Sequence, residues 1–153
     1  MYREWNTLPG ITMRGMHCYD GHRHESSVKE RETATAPVDQ QIEAIMGRLQ
    51  ADGLACSILI MGGTPSVPVH AAMTGAKLSP GTCVIQDAGY RNAYPDLKFT
   101  PAAALLTRVV SRPSRDTFTM DLGCKAVATD PQPERAEIVG MEYARTVIQN
   151  EEH

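Results

Sequence analysis

Apolar residues recur along the chain with two different periods, and the changes of period locate its elements. Between Ile11 and Asp20 they alternate, with Ile11, Met13, His17 and Tyr19 on one side and Met16 and Cys18 on the other; this predicts a strand with Tyr19 near its C-terminal end. Residues 21–36 are polar and charged, and predict a loop or a frayed helical turn outside any core. Pro37 can occupy a first helical position, after which Ile42, Ile45, Met46 and Leu49 fall at i, i+3, i+4 and i+7, with Gly53 as a C-terminal cap. Cys56 to Met61 is apolar without alternation, as in a strand buried on both faces of a parallel sheet. Strand, helix and strand make a βαβ unit.

Gly62-Gly63-Thr64-Pro65-Ser66 ends that run, and a short helix is expected from Pro65 with Thr64 as its N-cap. Beyond Ser79-Pro80-Gly81, a further strand is expected over Thr82 to Asp87, closed by Ala88-Gly89-Tyr90. The character then changes. Ala103 to Ser111 and Thr117 to Gly123 are strand-like runs separated by a hairpin loop at 112–116, and another strand-like stretch covers Glu137 to Ile148. The expected class is α/β followed by a β-rich unit, with no internal repeat and no low-complexity segment.

Composition narrows the possible functions. The 42% hydrophobic and 22% charged content is that of a folded domain and argues against wholesale disorder. A net charge of -3, with Lys and Arg scattered singly, provides no nucleic-acid footprint. No apolar run approaches the roughly 18 residues of a membrane span, and Met1-Tyr2-Arg3-Glu4-Trp5 begins no secretory signal, so the expected location is cytoplasmic. Four cysteines at 18, 56, 83 and 124 form no C-x-x-C pair and are expected to be reduced thiols.

Three places could carry chemistry. The Gly62–Ser66 turn follows a strand directly: its glycines allow close backbone approach, and free amides with the Thr64 and Ser66 hydroxyls could cradle a phosphate. The same pattern also serves an ordinary strand-to-helix turn in which Thr64 only caps. Met16 to His24 holds three histidines, a cysteine and an aspartate, but His17 and Cys18 should project to opposite faces of a strand, which opposes a metal site. The alternative puts His17 and Tyr19 together at a strand's C-terminal end, where α/β folds build their sites, while a core tyrosine with a satisfied hydroxyl stays open. Lys125, in Asp121-Leu122-Gly123-Cys124-Lys125-Ala126, has no cationic or apolar neighbourhood that would lower its pKa, and is expected to be solvated.

Read in order, seven segments resemble the D-threonine aldolase / D-serine dehydratase family: residues 15–22, Met61 to Ser66, Ser79-Pro80-Gly81-Thr82, Asp87-Ala88-Gly89-Tyr90, Tyr94-Pro95-Asp96-Leu97, Leu106 to Pro113 and Asp121 to Ala126. The resemblance covers nearly the whole chain and matches the second half of the family. It implies a pyridoxal-phosphate lyase of alanine racemase-like fold, acting on D-3-hydroxy amino acids and homodimeric when full length. Residues 1–95 would be the last strands of a (β/α)8 barrel and 96–153 part of a D-serine dehydratase-like β domain.

By the same resemblance, Tyr19 stands beside the pyridine nitrogen, and Gly62, Gly63 and Thr64 form the phosphate loop. The family's Schiff-base lysine lies near the start of the barrel and matches none of Lys29, Lys77, Lys98 and Lys125. Its divalent metal, zinc or manganese, has ligands beyond Glu151-Glu152-His153, and Cys124 stands where relatives often carry histidine. The expectation is therefore a fragment with no catalytic residue and no metal ligand of its own. The alternative is a catalytically silent fragment or split half that only binds the cofactor, phosphate or a partner chain.

Overall fold

A computed structural model of the chain describes residues 1–128 and 136–153. It divides into two units, one of Met1–Val84 with Tyr94–Lys98 and the other of Ile85–Ala93 with Phe99–His153. The class is mixed α/β, with a parallel sheet in the first unit and a small antiparallel pair in the second. Among the described residues, no helix is long and apolar enough to cross a membrane.

The first unit opens with a one-turn helix, α1 (Tyr2–Trp5), followed by strand β1 (Gly15–Cys18), which is shorter than the alternation from Ile11 suggests. Helix α2 (Val28–Ala51) is longer than expected. It starts at Ser27, whose hydroxyl accepts from the Glu30 amide while the Glu30 carboxylate accepts from the Ser27 amide, a reciprocal capping box. Those bonds also hold the Glu30 carboxyl below its usual pKa, the Ser27 amide first, then the Ser27 and Ser26 hydroxyls. The expected loop at 21–36 is thus half helix, and Pro37 lies inside α2 instead of opening it. It also supplies core, because Arg31 and Thr35 are buried.

At the other end Gly53 adopts φ +74°, Leu54 N–H donates to Leu49 O at 3.0 Å and Gly53 N–H to Gln50 O at 2.9 Å. This is the left-handed glycine stop that Gly53 was expected to form.

Strand β2 (Ile58–Met61) pairs in parallel with β1 on one side and with β3 (Ala76–Leu78) on the other, giving the order β1-β2-β3. Leu59 and Met61 are buried with Ile42 of α2, and Met16, Cys18, Met46, Met73 and Ala76 pack around them. Ile58 and Ile60, on the opposite face, are only half-buried, so β2 is covered on one side and not on two. Between β2 and β3 runs a four-residue helix, α3 (Val67–His70).

The strand expected over Thr82 to Asp87 is absent: Thr82–Val84 is a 3-10 turn, Gln86 takes φ +51°, and α4 (Ala88–Ala93) follows. The Asp87 carboxylate accepts from the Tyr90 amide at 2.9 Å, so local capping wins over extension. In the second unit β4 (Val109–Ser111) and β5 (Thr119–Met120) form an antiparallel pair with an irregular register, much shorter than the two runs around the hairpin loop. Glu137 to Ile148 is not a strand. Val139, Tyr143, Val147 and Ile148 are exposed, and no described strand runs beside them to satisfy their backbone. All four cysteines are free thiols, as expected.

Candidate functional site

The Gly62–Ser66 turn emerges from the C-terminal end of β2, and every residue in it is buried. Gly62 adopts φ +74°, and a Cβ there would come within 2.6 Å of both His70 Nδ1 and Ser66 Oγ, so only glycine fits. Its amide donates to Cys18 O at 2.9 Å, continuing the β1–β2 ladder by one residue. The Gly63 amide donates to Asp20 Oδ1 at 2.7 Å, and the Ser66 hydroxyl donates to the same oxygen at 2.8 Å. The turn therefore does hold an anionic oxygen. The amides at Gly62 and Gly63 are not bare, as the cradle reading had them; each has a partner inside the chain.

Thr64 departs from the bland reading of this turn. Helix α3 begins with Ser66 at its N-cap and no side-chain cap bond, and the Thr64 hydroxyl is buried without a hydrogen-bond partner. An orphaned hydroxyl costs roughly 1–3 kcal/mol. It stands beside donors already committed to an anionic oxygen. Such a donor set suits a phosphate, provided that Asp20 gives way.

Tyr19 lies just beyond the end of β1 and is 71% exposed, so it is not a core tyrosine. Its ring fills the space where side chains at Gly21 or Gly63 would lie, with Cε2 3.1 Å from a Cβ built on Gly63. Ring and turn are neighbours. His17 takes another direction, its Nε2 lying 3.0 Å from Ser79 Oγ, whose hydroxyl donates to Gly62 O at 2.9 Å.

Behind the turn, buried His70 places Nε2 3.3 Å from Asp39 Oδ1 and Nδ1 3.8 Å from Asp20 Oδ2. Cys18 stands nearby with its thiol pKa raised, by burial first and by the Asp39 charge second. The histidines of residues 16–24 diverge: His24 Nδ1 meets Tyr94 Oη at 3.1 Å while His17 meets Ser79. Among the described residues no three His, Cys, Asp or Glu side chains are grouped to hold a metal ion.

Asp20, Asp39 and His70 were not singled out from the sequence. Asp20 stood in the histidine cluster weighed for metal, and His70 lies four residues after Ser66, a spacing that puts both on one side of a helical turn. Asp39 gave no signal, because only the fold brings α2 behind the turn. Lys125 is exposed as expected, with Nζ 2.5 Å from Glu152 and 3.1 Å from Glu151, two carboxylates that raise its pKa.

Two known sequences or families resemble this chain. Residues 102–153 match the family described as "Putative serine dehydratase domain". A D-threonine aldolase from Arthrobacter sp. is 27% identical over 130 residues, which cover 82% of this chain and 34% of that enzyme. The chain is similar in sequence to the D-threonine aldolase / D-serine dehydratase family. It spans about a third of the length of the curated aldolase, and the two matches together take in both units of this aldolase/dehydratase-like chain.

Proposed function

We propose that this chain contributes the cofactor's phosphate seat to a pyridoxal-phosphate lyase acting on D-configured 3-hydroxy amino acids, of the aldolase or the dehydratase type. The observation that carries the reading is the Thr64 hydroxyl, buried and unpartnered in a turn whose Gly63 amide and Ser66 hydroxyl already hold a carboxylate oxygen. When bound, pyridoxal phosphate supplies an electron sink for charge released at the substrate's α-carbon.

The chain's own part is to bind and orient. Gly62 keeps the turn tight, Gly63, Thr64 and Ser66 donate to phosphate oxygens, and Tyr19 presents its exposed ring beside the seat. A neutral phenol near the pyridine nitrogen would leave that nitrogen unprotonated, which weakens the sink relative to a cationic partner. In this reading β1, β2 and β3 are neighbouring strands of a (β/α)8 barrel, residues 96–153 belong to the β domain, and the working enzyme is a homodimer. None of Lys29, Lys77, Lys98 and Lys125 links the cofactor, and the divalent metal is held by residues other than those described.

Titration of the purified chain with pyridoxal phosphate, pyridoxal and inorganic phosphate tests this. Pyridoxal phosphate should bind most tightly, inorganic phosphate should compete with it, and Gly63→Val, which drives a side chain into the Tyr19 ring, should abolish binding. Borohydride treatment followed by peptide mapping should label no lysine. Equal affinity for pyridoxal and pyridoxal phosphate, or one specifically labelled lysine, overturns the assignment.

A further inference from the structure

We propose that Asp20 is a built-in competitor for the phosphate seat, whose carboxylate occupies the Gly63 amide and the Ser66 hydroxyl until a phosphate monoester displaces it. The inference rests on the reading of the turn as a phosphate seat. Asp20 Oδ1 takes both donors, at 2.7 Å from the Gly63 amide, the short end of the N–H···O range, and at 2.8 Å from the Ser66 hydroxyl. These are the donors a phosphate would need, and two anions cannot share them.

The carboxylate is only half satisfied where it lies. Asp20 Oδ2 is buried without a hydrogen-bond partner, and so is His70 Nδ1, 3.8 Å away. An anion with one oxygen doubly bonded and the other unpaired is held less firmly than a fully bonded one, since the bare oxygen keeps its desolvation cost. Exchange for a phosphate is therefore within reach of an ordinary ligand.

There is also somewhere for the side chain to go. Asp20 follows the last residues of β1 in an irregular turn, retains 15% exposure, and borders a cavity of about 50 Å3 that Cys18, Tyr19, His22, Asp39 and His70 also line. Tyr19 precedes Asp20 directly and its ring rests against Gly63, so ring and carboxylate approach the turn from the same stretch of chain.

Dissociation constants of inorganic phosphate, pyridoxal phosphate and pyridoxal for the full chain, Asp20→Asn and Asp20→Ala test the proposal, together with the unfolding midpoint of each with and without phosphate. Asn keeps the shape and an acceptor for the Gly63 amide while losing the charge; Ala empties the seat. Both variants should bind the two phosphates about tenfold more tightly than the wild type, the effect of removing a competing charge-assisted bond, and pyridoxal should be unaffected. Phosphate should raise their unfolding midpoints more than that of the wild type.

Unchanged or weaker phosphate affinity in the folded variants overturns the proposal, and so does loss of the fold in both, which would make Asp20 a structural residue. The two readings can fail separately. Tighter phosphate binding with no preference for pyridoxal phosphate keeps Asp20 as competitor and removes the cofactor assignment, whereas equally tight pyridoxal phosphate binding in all three proteins does the reverse.

Discussion

Arg31 lies in a stretch whose polarity argues for solvent, yet its side chain has no exposed surface at all. The guanidinium donates to Glu25 O at 2.8 Å and Ser26 O at 3.1 Å, pairs with Asp96, and sits 5.3 Å above the Tyr94 ring. One planar group therefore ties the loop before α2 to the Tyr94–Leu97 segment. Lysine has no such fork and cannot serve two carbonyls, a carboxylate and a ring face together. Arg31→Ala should lower the free energy of unfolding by about 3 kcal/mol, the usual cost of breaking a buried pair, and Arg31→Lys should recover only part of it. Denaturant titration checks this, and a loss near zero for Ala would mean the pair is not structural. In the sequence, Tyr94-Pro95-Asp96-Leu97 was visible only as a family likeness, and nothing local announces a buried arginine. Its partner Asp96 stands 65 residues away, so the contact exists only once the chain has folded.

The elements sort by whether local or distant forces set them. Most of the core face of α2 and its glycine stop were legible because side-chain period and φ preference are local: Ile42 and Leu49 are buried where the spacing put them, while Ile45 of the same stripe is exposed. The capping box at Ser27 and Glu30 was equally local and was passed over, since the polar run after it hid a helix held by Arg31 and not by apolar residues. Thr82–Asp87 and Glu137–Ile148 show the opposite: an extended chain needs a neighbouring strand, and β-like residues without one form turns. The short β4–β5 pair is braced by Asp121, which accepts from the Arg108 amide at 3.0 Å, Thr107 Oγ1 at 2.9 Å and Arg108 Nε at 2.7 Å. These donors, the amide first, lower the Asp121 pKa from 3.8 to about 2. A depressed carboxyl stabilises the fold above its unfolded value and loses that contribution as pH falls through the folded value. The hairpin should therefore hold its geometry above about pH 4 and loosen towards pH 2, with the Arg108 amide resonance moving through the same range. In Asp121→Asn that titration should vanish; its persistence would assign the transition to another group.

At the scale of the whole molecule the two units differ in what holds each together, and this sets an expected pattern of amide exchange. The first unit has a 24-residue helix over a three-stranded sheet, with Ile42, Leu59 and Met61 buried between them. The second has strands of three and two residues, a six-residue helix, and exposed apolar side chains at Leu106, Val139, Val147 and Ile148. Exchange reports the free energy of local opening, which rises with buried apolar contact and falls where backbone bonds face water. The slowest amides should be those of Leu59 to Met61 and of α2 between Ile42 and Leu49. In the second unit, protection should gather where the backbone is tied across distance: Asp121 to Arg108 O, and Gly123, Cys124 and Lys125 to the carbonyls of Glu152, Asn150 and Glu151. Gly123 makes that last knot possible, because a Cβ there would collide with the backbone of Glu151 and Glu152. Gly123→Val should therefore abolish protection at 123–125 while leaving β2 unchanged. Exchange at one uniform rate across both units, or loss of β2 protection in that variant, would show that the molecule opens as one body and that the sheet depends on the second unit.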